Sequence, residues 1–339
     1  MTTITIATII PLYNGGPFIR DALESVLAQS WPPDEIIVVD DGSSDDGPVI
    51  VGEMAKLHPI TLLRKPNGGQ SSARNFAAEH CRSSHIALLD QDDIWHPGHL
   101  ATLRQPFLDE AADERLAVVY GNLDRVDQAG KMVAHKCLHS FCPTHPKTTL
   151  RQCLEEDMFI LPGASLVEKT AFFNVGKFDE RLSGYEDDDL FLRIFREGYS
   201  SVYVDHAVVK WRIHAGSTSY SLRMAASRMI YYRKLVEAYP NEPTLHQFWV
   251  RDQIAPRFFR AVVADYINGS KAGDIPRMDC NWAGMQVIAT ELPRRTRRRF
   301  RLVAPLIDFC HRARFPSLAR SLLRYAIADG KKPVVARRR

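Results

Sequence analysis

Three carboxylates and one amide stand in a row at Asp90-Gln91-Asp92-Asp93, after the apolar run Ile86-Ala87-Leu88-Leu89 and before Ile94-Trp95. Carboxylates crowded at the exit of a buried strand repel one another and lose hydration unless a cation or hydrogen-bond donors compensate them. Mg²⁺ and Mn²⁺ take oxygen ligands and bridge carboxylates to substrate phosphates, which is one chemistry this cluster suits. A solvated acidic turn is the competing reading. A second run, Glu186-Asp187-Asp188-Asp189, opens a helical stretch that carries Phe191, Leu192, Ile194 and Phe195. The helix dipole favours acids at that end. Four in succession exceed capping needs, and a desolvated one suits general-base work on a hydroxyl. His214, in Trp211-Arg212-Ile213-His214, is either a metal or phosphate contact or a histidine satisfied by loop backbone.

Two further segments bear polar chemistry. Asp40-Asp41-Gly42-Ser43 offers acceptor carboxylates beside a turn glycine, placed to take a base imide N–H or a ribose hydroxyl, or simply to close a loop. Asn67-Gly68-Gly69-Gln70-Ser71-Ser72-Ala73-Arg74-Asn75 sets two glycines before a helix, where backbone N–H groups favour an anion and Arg74 has phosphate within reach. A turn that only starts the helix fits equally. Neither GxxxxGK[ST] nor GxGxxG spacing is present, so neither a P-loop nor a dinucleotide fingerprint is supported.

The elements that would position these groups alternate in period. Strands are predicted at 4–10, 35–39, 60–63, 85–89, 116–120, 159–168 and 201–206, with helices at 17–29, 48–57, 72–80 and 187–197. Near-continuous apolar strands alternating with helices imply an α/β domain with a mostly parallel sheet covered on both faces. Ligands of such sheets sit beyond the carboxyl ends of the strands, where 11–14, 40–45 and 90–93 all fall. From Leu222 the pattern is helical, with helices predicted at 224–239, 247–267 and 285–290. A domain change is expected near 217–221, giving 1–219 and 220–339.

In this order, several motifs resemble the inverting family 2 glycosyltransferases of the GT-A fold. They are Pro11-Leu12-Tyr13-Asn14, Val39 to Asp45, Asn67-Gly68-Gly69 with Ala73-Arg74-Asn75, Leu89 to Trp95, Gly176 to Glu180, Glu186 to Leu190 with Arg193, and Arg212-Ile213-His214. The resemblance covers about 5–219. It implies a mostly parallel mixed sheet flanked by helices, a nucleotide-diphospho-sugar donor (UDP-, dTDP- or GDP-linked), Mg²⁺ or Mn²⁺, and a hydroxyl acceptor on a glycan or lipid-linked saccharide of the cell surface. Carried over by residue, Pro11, Tyr13, Asn14, Asp40, Asp41 and Gly69 would frame base and ribose. Arg74 would approach the diphosphate or hold the nucleotide loop, and Asp90 would be the first acid of the metal pattern. Asp92 and Asp93 would serve metal and ribose with His214 nearby, and Asp187 would be the catalytic base. Two rivals are a nucleotide-sugar-binding protein without turnover and a sugar nucleotidyltransferase. The second is disfavoured because no Gly-rich N-terminal phosphate loop with a following Arg is evident.

Composition is that of a globular protein, with 45% hydrophobic and 25% charged residues. Charge is uneven. Of 44 Lys/Arg and 40 Asp/Glu, fifteen and two fall in 294–339, so the rest of the chain has 29 and 38. An acidic body thus carries a strongly basic tail. Arg294 to Arg301 precedes Leu302, Val303, Leu306, Ile307 and Phe309, and Pro305 is expected to kink or end any helix there. Such a basic amphipathic stretch suits an anionic membrane surface, a solvated basic helix or disordered end being the competing reading. Nucleic acid is not the expected partner, because no recognised module accompanies the tail. The opening Met1 to Ile6 lacks a signal peptide's basic start and apolar core, and six cysteines without a CxxC pair suit a reducing compartment. The expected location is cytoplasmic and peripheral on the inner membrane face. His135, Cys137, His139, Cys142 and His145 have zinc-like spacings singly, but the pairs interleave, which favours a plain loop. Trp95, Trp211 and Tyr185 are candidate stacking residues or core.

Overall fold

The first strand, β1 (Ile6–Leu12), is buried at every residue because the sheet continues on both sides of it and helices cover both faces. A computed structural model describes residues 4–109, 113–214, 222–313 and 315–326. The chain divides into two compact units, one of 1–147 with 158–217 and one of 148–157 with 218–339. The segment 148–157 therefore leaves the first domain expected at 1–219 and joins the C-terminal one.

In the first unit β1 is followed by α1 (Gly16–Leu27), β2 (Glu35–Asp40), α2 (Gly47–Met54), β3 (Ile60–Arg64), α3 (Gln70–His80), β4 (His85–Leu88), β5 (Ile94–Trp95), α4 (His99–Leu108), β6 (Leu116–Val126), β7 (Met132–Ala134) and α5 (Leu138–Phe141). After α6 (Leu150–Glu155), which belongs to the second unit, come β8 (Ser165–Glu168), α7 (Lys169–Asn174), α8 (Glu186–Arg196) and β9 (Ser200–Arg212). The sheet order is β3-β2-β1-β4-β8-β6-β9-β5, with β7 beside β6. Pairs β1–β2, β1–β4, β2–β3 and β6–β9 are parallel, whereas β8 is antiparallel to both β4 and β6. The expected mostly parallel mixed sheet is present.

Register sets the rim. Leu12 aligns with Asp40, and Ile9 with Leu88, so the loops after β1, β2 and β4 leave the sheet at one edge.

Some expectations change. The strand predicted over 159–168 is confined to β8, because Phe159 adopts a positive φ (49°) and a 3₁₀ turn spans Pro162–Ala164. Proline has no N–H to donate to a ladder. β6 and β9 are longer than predicted and pair through irregular register along most of their length. α4 had no clear signal, since Pro106 lies inside it, yet Leu100 and Leu103 bury its inner face.

The second unit is helical: α9 (Leu222–Ala238), a short ribbon of β10 (Asn241–Glu242) and β11 (Gln247–Phe248), then a π-turn at Val250–Ile254 running into α10 (Ala255–Ala272). α11 (Ile275–Ala289), α12 (Arg294–Arg312) and α13 (Pro316–Ala326) follow. Asp274 caps α11 by accepting the Arg277 N–H at 3.1 Å, so that helix starts ten residues before the 285 predicted. α12 continues through Pro305, because Phe300 before it and Ile307 and Cys310 after it are buried and hold the turn. The core gathers Tyr231, Phe258, Phe259, Tyr266, Met285 and Phe300. Within it Asp265 accepts from Arg277 Nε (2.7 Å), Arg228 Nη1 (3.1 Å) and Asn281 Nδ2 (2.9 Å). Burial alone would raise that carboxyl's pKa, but these partners hold it below its ordinary value. Among the described residues no helix is long and apolar enough to cross a membrane.

Candidate active site

Gln91 joins two of the rim loops. Its Oε1 accepts from the Tyr13 N–H at 2.8 Å and its Nε2 donates to the Tyr13 carbonyl at 3.1 Å. Asn14, at φ 49°, accepts from the Ser44 N–H at 2.8 Å and donates its own N–H to Ser43 Oγ at 3.0 Å, fastening the Pro11–Asn14 turn to the loop after β2. Tyr13 is half exposed beside them. Asp40 is buried and accepts from the Ser43 N–H at 2.8 Å.

Asp41 is 2% exposed and accepts from Lys65 Nζ (2.7 Å), the Gly68 N–H (2.9 Å) and the Gly69 N–H (2.7 Å). The anion that the glycine pair attracts is thus a carboxylate of the chain itself. Gly69 makes this possible at φ 89° and ψ 168°, a region only glycine adopts readily. Lys65 went unremarked in the sequence. The signal was that it directly follows β3, whose Arg64 aligns with Asp40.

Arg74 departs most from expectation. Its side chain is 1% exposed and turned inward, with Nη2 2.5 Å from Asp90 Oδ1 and Nη1 3.2 Å from Glu186 Oε1. Gln70 Nε2 adds a third contact to Asp90 Oδ1 at 2.7 Å. Rather than reaching for phosphate, Arg74 ties the acidic loop after β4 to the start of α8. Burial would lower the guanidinium pKa, but Asp90 and Glu186 raise it. Glu186 is pushed above the usual carboxylate range by burial, and Arg74 offsets only part of that.

The remaining acids of α8 have separate partners. Asp189 accepts from Arg193 Nε at 2.9 Å, and the same guanidinium donates to the Lys177 and Val175 carbonyls. Asp188 is buried and accepts from the Met158 N–H. Asp187 is the one acid of the four that is not buried; its Oδ1 accepts the Asp188 N–H at 2.8 Å. Tyr185, at φ 65°, starts the helix.

Asp92 Oδ2 lies 2.7 Å from His214 Nε2, and the His214 ring packs on Phe18 with centroids 4.9 Å apart. Burial and the neighbouring Asp90 raise the Asp92 pKa, and His214 counters them. Asp93 is buried and its Oδ1 accepts the Arg212 N–H at 2.8 Å, while burial and its two acidic neighbours push it well up. Arg212 is buried as well, bonding to the Asp92 carbonyl, the Gln128 carbonyl and Asp21 Oδ2. Within the expected metal set of Asp92, Asp93 and His214, two members meet directly. Asp92 and His214 face each other, and Asp93 is taken by the amide of β9. Among the described residues no group of three or more His, Cys, Asp or Glu is gathered as a metal site. The Asp92 oxygen is nevertheless a ligand type that suits Mg²⁺ or Mn²⁺, the His214 nitrogen one that suits a transition ion such as Mn²⁺, and the carboxylate crowding raises the local demand for a cation.

Other candidates resolve into packing. The Trp95 indole is buried, donates to the Gly163 carbonyl at 2.9 Å and stacks on His99 at 3.9 Å. Trp211 meets Phe141 edge-on. In the His/Cys stretch, Lys147 Nζ donates to Cys142 Sγ at 3.0 Å, Tyr120 contacts His145 at 3.0 Å, and His135 faces Asp124 at 3.5 Å.

Comparison with known proteins bears on the family and the fold. Residues 7–173 match the family model described as Glycosyl transferase family 2. An uncharacterised glycosyltransferase of Rickettsia prowazekii is 31% identical over 221 residues, 63% of this chain and 65% of that protein. The chain spans between 30% and 65% of the length of the rickettsial relatives it matches. Among solved structures, S. aureus TarS 1-349 in complex with UDP-GlcNAc superposes with TM-score 0.62 at 18% identity, over 95% of this chain and 91% of that one. The mannosyltransferase PcManGT of Pyrobaculum calidifontis, in complex with GDP-Man and Mn²⁺, gives 0.53 at 16% identity over 96% and 88%. At these identities the two structures speak for the fold.

Proposed function

We propose that this chain, which belongs through residues 7–173 to glycosyl transferase family 2 and has the GT-A fold, moves a sugar from a nucleotide-diphospho-sugar to a hydroxyl acceptor with inversion at the anomeric carbon. The observation that carries this reading is the Arg74 bridge from Asp90 to Glu186, which fixes the start of α8, with Asp187, beside the acidic loop.

In this reading the donor lies at the rim formed by Pro11, Tyr13, Asn14, Asp40, Asp41 and Gly69. That UDP-GlcNAc and GDP-Man are bound by the two structural neighbours supports a nucleotide sugar, with the base and sugar drawn from the UDP, dTDP or GDP series. Asp187 accepts the proton of the acceptor hydroxyl while that oxygen bonds to the anomeric carbon. The bond to the diphosphate breaks on the opposite face, and the electron pair of that breaking bond leaves on the phosphate oxygen of the nucleoside diphosphate. Asp187 is suited to this because it lies in the first turn of α8 and is less buried than Glu186, Asp188 and Asp189. Asp92 and His214 would hold Mg²⁺ or Mn²⁺, which when bound supplies positive charge for the departing diphosphate. The Mn²⁺ in the archaeal neighbour supports that assignment. The acceptor is a saccharide or a lipid-linked saccharide, met on the cytoplasmic side where the basic C-terminal region approaches an anionic membrane.

The test is nucleoside diphosphate release from UDP-, dTDP- and GDP-sugars with Mn²⁺ or Mg²⁺. Release from one donor, abolished by EDTA, is expected. Failure to bind any of them would sink the proposal.

A further inference from the structure

α12 presents a mixed apolar and basic face. Leu302 is 80% exposed, Leu306 46% and Phe309 63%. Their spacing of four and three residues puts them on one side of the helix. Arg298, Arg301 and Arg312 are exposed at neighbouring positions, and the one acid of α12, Asp308, is paired with Arg312 at 2.9 Å. Beside this face α11 and α12 form an open cavity of about 340 Å³ lined mainly by Trp282, Ala289, Phe300, Arg301, Ala304 and Pro305, with Asp308 at its wall. Its size falls in the range of small-ligand sites. The Trp282 indole N–H is satisfied at the wall of the cavity, donating to Asp308 at 3.0 Å, which leaves the ring face for apolar contact.

We propose that this face docks on an anionic phospholipid bilayer, with Leu302, Leu306 and Phe309 entering the headgroup–acyl boundary and the Trp282 cavity taking one acyl chain of a lipid whose phosphate meets Arg301. This deepens the membrane part of the preceding reading by naming the residues and the lipid site. Charge selects the occupant. Exposed apolar side chains are masked by many partners, but apolar side chains ringed by arginines match a surface with hydrocarbon below and phosphate above. A soluble anion would not use Leu302 and Phe309, and nucleic acid would have no use for a cavity of this lining.

The experiment is co-sedimentation of the full chain with vesicles of phosphatidylcholine alone or mixed with phosphatidylglycerol. Binding only to the anionic vesicles is expected, weakened at least about tenfold by Leu302→Glu with Phe309→Glu. Phosphatidylglycerol with brominated acyl chains should quench tryptophan fluorescence, and Trp282→Phe should remove most of the quenching without changing sedimentation. Each variant is checked for unchanged thermal unfolding. Equal binding to both vesicle types, binding untouched by the double Glu variant, quenching untouched by Trp282→Phe, or binding of duplex DNA in place of vesicles would overturn the proposal. None of these readouts uses the sugar donor, so they stand apart from the failure of the transferase reading.

Discussion

Arg74 and Glu186 are 112 residues apart in the chain and in contact at 3.2 Å, inside a pocket from which water is nearly excluded. With Asp90 on the other side of the guanidinium, this contact links the two acidic clusters. Removing one partner of a buried pair leaves the other charge uncompensated. Arg74→Met is therefore expected to cost about 3–5 kcal/mol in denaturant unfolding. Combining it with Glu186→Gln should cost less than the two single changes summed. Additive costs would show that the pair is not a unit.

Gly69 supports the Asp41 carboxylate through its N–H and lies in a backbone region that L-residues avoid. A Cβ there would meet nothing within 4 Å, so the cost of Gly69→Ala is conformational. It should be about 1–3 kcal/mol, with weaker donor binding as the loop shifts. A change in the unfolding midpoint without any change in donor affinity would separate the loop from the site.

His99 gives the clearest pH dependence. Buried beneath Trp95 with Nδ1 3.0 Å from the Val208 carbonyl, its imidazole is pushed down to about 3 by burial. The unfolded chain takes up a proton at this position below about pH 6.5 that the folded chain refuses. Stability is therefore lost as pH falls through that window, by about 1.4 kcal/mol per pH unit from this residue. Unfolding measured between about pH 7 and about pH 4.5, which covers the upper part of the window, should show a steeper loss for the native sequence than for His99→Leu. Parallel curves would contradict the assignment.

The parts of this architecture legible in the sequence are those whose cause is local. β1 to β4 and α1 to α3 announce themselves by period, and the polar loops at 11–14, 40–45 and 90–93 follow from where those strands end. The inward course of Arg74 was not legible because its two partners are remote in sequence, and a basic residue near a helix start looks the same whether it faces solvent or the core. Asp93 was grouped with its neighbours by adjacency, yet its oxygen is claimed by the Arg212 amide 119 positions away. Pro305 shows the converse: local chemistry disfavours a continuous α12, and buried neighbours on either side prevail.

The central claim is that Asp187 takes the acceptor's proton, and one comparison tests it most directly. Donor affinity and turnover should be measured side by side for the native chain and Asp187→Asn, using whichever UDP-, dTDP- or GDP-sugar it binds with Mn²⁺. The account predicts unchanged donor affinity with turnover reduced about 10²–10⁴-fold. Turnover within a few-fold of the native chain, at equal donor affinity, would contradict it.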